Sequence, residues 1–179
     1  MKIFRSKIII LLTLSLALFS CTSKDNEAIA TVTKLQKKVA TMQSNYNNVD
    51  YIAVKVAQKQ YNESMTLIKK YYFKDTIDKQ FMQALDIYRG VKTSTKGINK
   101  SKKAVEKNLV FVAQQLSNLK EDLENKSIQG NLVEEAIVSE TRNIKRLDSA
   151  LQFYLSNVEN LLFAHDSVAT YIKQKTRTF

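Results

Sequence analysis

The sequence predicts an all-α protein: a long antiparallel helical hairpin or coiled coil, completed by a further helical region as an up-down-up three-helix bundle. Three observations predict this class. The 179-residue chain has no proline and only three glycines, so little interrupts helix formation. Apolar residues recur with alternating spacings of three and four, which is typical of helices that pack along one seam. One turn-forming segment, 125–131, separates two such patterns whose phases agree.

The chain begins with a segment typical of a secretory signal peptide. Lys2, Arg5 and Lys7 precede an apolar run from Ile8 to Phe19, which is shorter than the ~20 residues needed to span a bilayer. Residues 1–20 are therefore predicted to be a cleaved signal. Their removal lowers the formal net charge from +11 to +8, because the segment holds three basic residues and no acidic ones.

The segment Leu18-Phe19-Ser20-Cys21 ends this run and resembles the lipobox of bacterial lipoproteins. The resemblance implies that Cys21 receives a diacylglycerol thioether and becomes the acylated mature N-terminus. This covalent lipid is the only cofactor expected, and several acyl chains such as palmitate hold a protein firmly on a membrane. The alternative is an ordinary cleaved signal with an incidental cysteine. Since Cys21 is the sole cysteine, no intrachain disulfide is expected.

Cys21-Thr22-Ser23-Lys24-Asp25-Asn26-Glu27 is similar to the lipoprotein export signal of Bacteroidota, although Asn26 interrupts the acidic pair. The body of the chain likewise resembles the uncharacterised helical lipoproteins of that phylum. The resemblance implies a lipid-anchored protein of the outer membrane, with the periplasmic and the cell-surface face both open. Residues 21–26 are predicted to form a polar tether ahead of a single all-helical domain, 27–175.

The first helical region of that domain is predicted over 27–72. Val32, Leu35, Val39 and Met42 follow the helical period, but asparagine and aspartate then crowd within 45–50 and the apolar phase changes. These residue types favour caps and turns over helix interiors. A continuous helix with a phase slip and a kink or short break near Asn48 both remain open, and the break is slightly favoured.

The second and third helical regions carry the strongest patterns. The second is predicted over 76–124 with Asp75 as N-cap, and its phase survives Gly90 and Gly97, which indicates one helix that is weakest between Gly90 and Ser101. Gly130 is suited to the left-handed conformation of the turn. The third helix is predicted over 132–173. If Leu123 faces Val133 across the turn, the seam residues of the second and third helices face each other along the whole hairpin.

Three polar residues interrupt the predicted seam: Lys102 opposite Tyr154, Glu140 opposite Leu116, and His165 opposite Val91. Such residues can form a ligand site or a pH switch. They can also specify register, with long side chains lifting their charged ends to water. The sequence favours register specification.

A lysine stripe on the outer side of the second helix is the one candidate binding surface; its members are Lys92, Lys96, Lys100, Lys103 and Lys107. Anionic lipid headgroups, a polysaccharide or an acidic protein are the partners it suits. The alternative is a solvated face partly neutralised by Glu159 and Asp166. Phe111, Phe153 and Phe163 lie off the seam, either packing against the remaining helical region of the bundle or forming an exposed contact surface.

The residues available for catalysis are few. One histidine and one lipidated cysteine leave no Cys/His pair and no zinc ligand set, and the three glycines are too scattered for a phosphate loop. We therefore expect a non-enzymatic scaffold or protein-interaction element of the cell envelope, held on the membrane by its lipid. A protein partner is expected, but no metal, nucleic acid or small-molecule substrate. The alternative function is capture of an anionic envelope component by the lysine stripe.

Overall fold

The computed structural model describes the backbone of residues 2–72 and 78–177 and the side chains of residues 25–72 and 78–177. Within these ranges the chain forms four α-helices and no strand, which confirms the all-α prediction. The helices are α1 (Lys2–Asn47), α2 (Tyr51–Tyr71), α3 (Lys79–Glu124) and α4 (Asn131–Thr176). There are four helices where three helical regions were predicted, because the first region is divided.

The division falls within the asparagine-rich segment. α1 ends at Asn47 and α2 begins at Tyr51, and the Asp50 carboxylate accepts a hydrogen bond of 2.9 Å from the Ala53 amide. This is the bond of an N-cap, which satisfies one of the free amides at a helix start. The short polar side chains thus serve the helix ends that they are best suited to form.

Three predicted boundaries differ from the structure, and one of them is the end of α4, which lies at Thr176 rather than at 173. α1 begins at Lys2, so the segment 21–26 is helical rather than an irregular tether; no glycine or proline before Asn47 interrupts the helix. α3 begins at Lys79 rather than at 76, because Asp78 accepts a hydrogen bond of 3.0 Å from the Phe81 amide and acts as the cap. The predicted cap, Asp75, lies outside the described residues.

α3 is one helix through Gly90 and Gly97, and both glycines lie close to α4. A Cβ atom on Gly90 would lie 3.0 Å from the Ala164 Cβ, and one on Gly97 would lie 2.2 Å from the Asn157 Oδ1. The missing side chains therefore let the two helices approach each other. The turn after α3 contains two residues of positive φ, Lys126 at 54° and Gly130 at 61°; the sequence indicated only the glycine.

The chain divides into two compact units. Unit 1 consists of residues 1–41 and 110–145, and its described core combines buried side chains of α1, α3 and α4. The Gln36 amide donates a hydrogen bond of 3.3 Å to the Leu116 carbonyl and so joins α1 to α3. The buried apolar residues of this unit are Ala28, Val32, Val39, Val112, Leu116, Leu119, Leu123 and Ile144.

Unit 2 consists of residues 42–109 and 146–179, where α3 runs antiparallel to both α2 and α4. As the residue numbers rise along α3 and its cap, the numbers of the residues that they meet on α4 fall. The pairs are Asp78 with Lys175, Phe81 with Tyr171, Tyr88 with His165, Gly90 with Ala164, and Gly97 with Asn157. Tyr61 packs on Tyr88 with ring centroids 5.0 Å apart, joining α2 to α3. The hairpin direction predicted from the seams is therefore present within this unit.

Candidate functional site

The predicted lipidation site cannot be located among described side chains. The lipobox residues Leu18, Phe19, Ser20 and Cys21 belong to α1, and their side chains lie outside the described range. Acylation of Cys21 therefore stays a prediction from the sequence.

The lysine stripe lies on the outer side of α3, as its heptad positions indicate. Lys92, Lys96, Lys100, Lys103 and Lys107 are all exposed. Within the described part of the chain none of the five forms an ion pair with a carboxylate. Asp166, which was expected to offset this charge, instead contacts His165 at 2.8 Å. The stripe is thus a charged and solvated surface without a partner carboxylate on the described chain.

Lys102 behaves differently from the stripe because it is half-buried and faces aromatic rings. Its ammonium lies 4.0 Å from the centroid of the Tyr51 ring, a cation–π contact. The Tyr51 hydroxyl in turn forms a hydrogen bond with the Tyr154 hydroxyl. The predicted layer of Lys102 and Tyr154 is therefore joined by a residue of α2 that lies off the heptad seam.

Tyr46, Tyr51 and Tyr154 form a tyrosine cluster at the break between α1 and α2. The ring centroids of Tyr46 and Tyr154 lie 5.4 Å apart, and the Tyr154 side chain is fully buried. Burial raises the pKa of the Tyr46 phenol above its usual range, and hydrogen bonding to Tyr51 and the charge of Glu106 raise it further. Burial likewise raises the pKa values of Tyr51 and Tyr154. The cluster therefore remains protonated and joins three helices through its hydroxyl groups.

Glu140 is buried, with 8% of its surface exposed, in the α4 segment of unit 1. The Asn143 amide, one turn further along α4, donates a hydrogen bond of 3.4 Å to its carboxylate. The partner belongs to the same helix, so this bond does not join helices. The geometry thus gives Glu140 a local polar partner on its own helix.

His165 is partly buried in unit 2 and joins α4 to α2. Its Nε2 atom lies 2.9 Å from Gln60 Oε1, and its Nδ1 atom lies 2.8 Å from Asp166 Oδ1. The ring also packs near Tyr88, with centroids 6.4 Å apart. Both ring nitrogens thus have an oxygen partner, one on α2 and one on α4 itself.

The three phenylalanines off the seam are exposed. Phe111 and Phe153 each expose 53% of their surface, and Phe163 exposes 72%. Within the described part of the chain the three rings are therefore largely exposed rather than buried between helices, and their role as a contact surface stays a prediction. Sequence patterns missed this distinction because a heptad shows the buried seam but not which flanks a neighbouring helix covers.

Unit 1 contains an open groove of about 630 Å³ between the start of its described α1 segment and the start of α4. Ala28, Val133, Ile137 and Val138 provide apolar surface, while Asp25, Glu27 and Glu134 provide carboxylates. Nothing in the groove indicates a particular ligand. Among the residues with described side chains, no group of His, Cys, Asp and Glu is arranged to hold a metal ion.

Among the described residues, no helix is long and apolar enough to cross a membrane. Comparisons with known proteins give no relative: no family model, no curated protein and no solved structure matches the chain.

Proposed function

We propose that the protein is a lipid-anchored, non-enzymatic helical scaffold or protein-interaction element of the bacterial outer membrane. The lipobox-like segment that ends in the sole cysteine, Cys21, is the observation that carries the proposal. The helical body supports it, because long packed helices offer extended surfaces to other proteins. An up-down-up arrangement of three helical regions along the chain is part of the same proposal. The anchor faces either the periplasm or the cell surface.

Metabolic labelling with an alkyne-bearing fatty acid tests the anchor. We expect the wild-type chain and a neighbouring conservative control, Thr22→Ser, to incorporate label and to fractionate with membranes. Cys21→Ser should lose the label and accumulate as an uncleaved precursor or appear in the soluble fraction. Label retained by Cys21→Ser would overturn the lipoprotein proposal.

The exposed lysine stripe favours a second candidate function, capture of an anionic component of the envelope. Five ammonium groups on one helix face, without carboxylate partners in the described chain, attract anionic lipid headgroups, polysaccharides or acidic proteins. Charge-driven binding of this kind weakens as salt is added, because the Debye length falls from ~10 Å at 0.1 M to ~3 Å at 1 M.

A matched pair of charge-reversed proteins tests this function on residues 22–179. One carries Glu at the five stripe lysines, and the control carries Glu at five exposed lysines elsewhere, namely Lys34, Lys37, Lys55, Lys69 and Lys173. Both have the same net charge. Capture predicts that only the stripe variant loses low-salt binding to anionic vesicles or envelope polysaccharide while helicity is unchanged. Equal binding by both variants would exclude capture by the stripe.

A further inference from the structure

α4 carries a second helical seam on the side opposite to its buried one. In unit 2 the residues of this outer α4 face are spaced by four, three, four, three and four, and every one of them is exposed: Ser149, Phe153, Ser156, Asn160, Phe163 and Ser167. This is the spacing of a helix that packs against another helix. No described helix of the chain covers it, since Phe163 exposes 72% of its surface.

Between Ser149 and Ser167 the outer α4 face contains no charged residue, although a quarter of the chain is charged; the next position at this spacing toward the N-terminus is the exposed Arg146. At ~100° per residue, the nearest acidic side chains, Asp148, Glu159 and Asp166, all fall on one flank of the face. The formal charge after signal removal is +8, so two copies of this chain repel each other across most surfaces. An uncharged face allows two copies to meet without bringing lysines into contact.

The order of residue types along the outer α4 face is also nearly the same in both directions of the helix. Its residues run Ser-Phe-Ser-Asn-Phe-Ser, and its spacings are symmetric about Val158. A two-fold axis beside Val158 therefore sets Phe153 of one copy against Phe163 of the other, and Ser156 against Asn160. Two-fold interfaces require this property, because each residue must find its partner in both directions. Aromatic pairs add to such a contact beyond the area that they bury.

We propose that two copies of the chain associate as an antiparallel two-fold dimer through the outer α4 face. The dimer makes the proposed scaffold function more specific, because it names a second copy of the chain as a partner. The inference therefore rests on that proposed function. The face is ~27 Å long at 1.5 Å per residue and one helix wide, ~10 Å. Such a contact buries less than the ~1,200 Å² typical of a stable complex. Anchoring both copies on one membrane raises their effective concentration and favours the dimer.

Disulfide crosslinking in cell membranes tests the dimer with the full-length chain. Two variants, Ser156→Cys and Asn160→Cys, carry different epitope tags and are expressed together. Mild oxidation should give a covalent dimer with both tags, because the axis places these two positions opposite each other. In a dimer of two copies of the same variant, the two cysteines are offset by four residues. Such dimers should crosslink at least about tenfold less, since disulfides form only at short Cα separations. Two differently tagged copies that both carry Asn62→Cys, at an exposed position on α2, control for crosslinking that does not depend on the outer α4 face.

Replacing one phenylalanine gives a second measurement. Phe163→Glu introduced into both tagged variants should lower the crosslink yield at least about tenfold, because it sets a charge against Phe153 of the other copy. Phe111→Glu, which alters an exposed phenylalanine of α3, should leave the yield unchanged. Added salt should not weaken the dimer, because no opposite charges meet in the face. Circular dichroism checks that each variant is folded.

Crosslinking of the Asn62 control at the same yield, an unchanged yield with Phe163→Glu, or no dimer carrying both tags would overturn the inference. The last result is also expected if this face binds a different protein or a glycan. The wild-type chain separates this failure from failure of the proposed anchor: its sole thiol is Cys21, so its reaction with maleimide reports missing acylation independently of dimer formation.

Discussion

Replacement of Gly97 by alanine tests why α3 tolerates a glycine in its interior. Glycine costs a helix about 1 kcal/mol relative to alanine, so an unhindered Gly97→Ala should stabilise the protein by that amount. The added Cβ, however, would lie 2.2 Å from Asn157 Oδ1 and 2.5 Å from its Cγ, far inside van der Waals contact. The Asn157 side chain must therefore move.

The cost of that movement can be set against the gain. The Asn157 amide donates a hydrogen bond of 2.7 Å to the Phe153 carbonyl, and such a bond contributes roughly 0.5–1.5 kcal/mol. Losing it cancels most of the helix gain, so we expect the free energy of unfolding of Gly97→Ala to lie within about 0.5 kcal/mol of wild type. In an Asn157→Ala background the obstacle is gone, and Gly97→Ala should stabilise by about 1 kcal/mol.

Urea unfolding followed by circular dichroism measures this double-mutant cycle, and we expect a coupling energy of about 1 kcal/mol between the two positions. A coupling energy near zero would refute the reasoning. If Gly97→Ala stabilised both backgrounds equally, the helices would be further apart than the structure shows. If it destabilised both equally, backbone rather than the Asn157 side chain would limit the approach.

Three further predictions concern unit 2. Gly90→Ala should destabilise by up to about 2 kcal/mol in urea unfolding, because the Cβ it would meet on α4 cannot rotate away and overpacking costs about 1–3 kcal/mol. Tyr51→Phe should cost about 1–3 kcal/mol in the same assay by removing the hydrogen-bond partner of the buried Tyr154 hydroxyl, and adding Tyr154→Phe should cost less than the two single changes summed. The hydrogen bond from Lys175 lowers the pKa of Asp78, so the stability it contributes is present above the usual aspartate pKa and lost as the pH falls through the folded value. Thermal unfolding of the wild type and of Asp78→Asn should therefore be compared between pH 2 and pH 7. The difference between their melting temperatures should disappear at the acid end, and a difference that stays constant across this range would contradict the prediction.

The helices were predictable because their signals are local. An unbroken apolar phase across Gly90 and Gly97 indicated one continuous α3, and the asparagines near Asn48 indicated where the first region divides. Each inference needed only the period of a helix or the preference of a side chain for a cap. The antiparallel direction of α3 and α4 followed from the agreement of two such patterns across one turn.

Other features depend on contacts between helices, which periodicity does not contain. The sequence treated Gly97 as a weak point, whereas the structure places it against the Asn157 side chain of α4. Tyr51 lies off every seam, so nothing in the pattern marked it as the residue that joins Lys102 to Tyr154. Asp75 and Asp78 are both good caps by residue type, and only the observed start of α3 selects Asp78 as its cap.

The tyrosine cluster also gives the protein an internal optical probe. The chain has no tryptophan, so its near-ultraviolet absorption and emission come chiefly from eight tyrosines without a stronger fluorophore to collect their energy. Because burial raises the pKa values of Tyr46, Tyr51 and Tyr154, tyrosinate absorbance from these rings should develop only in more alkaline solution than that of freely solvated phenols. Burial also raises the pKa values of Tyr61 and Tyr88, so alkaline spectrophotometry of the unlabelled protein follows the opening of the buried tyrosines of unit 2, among them the cluster where three helices meet.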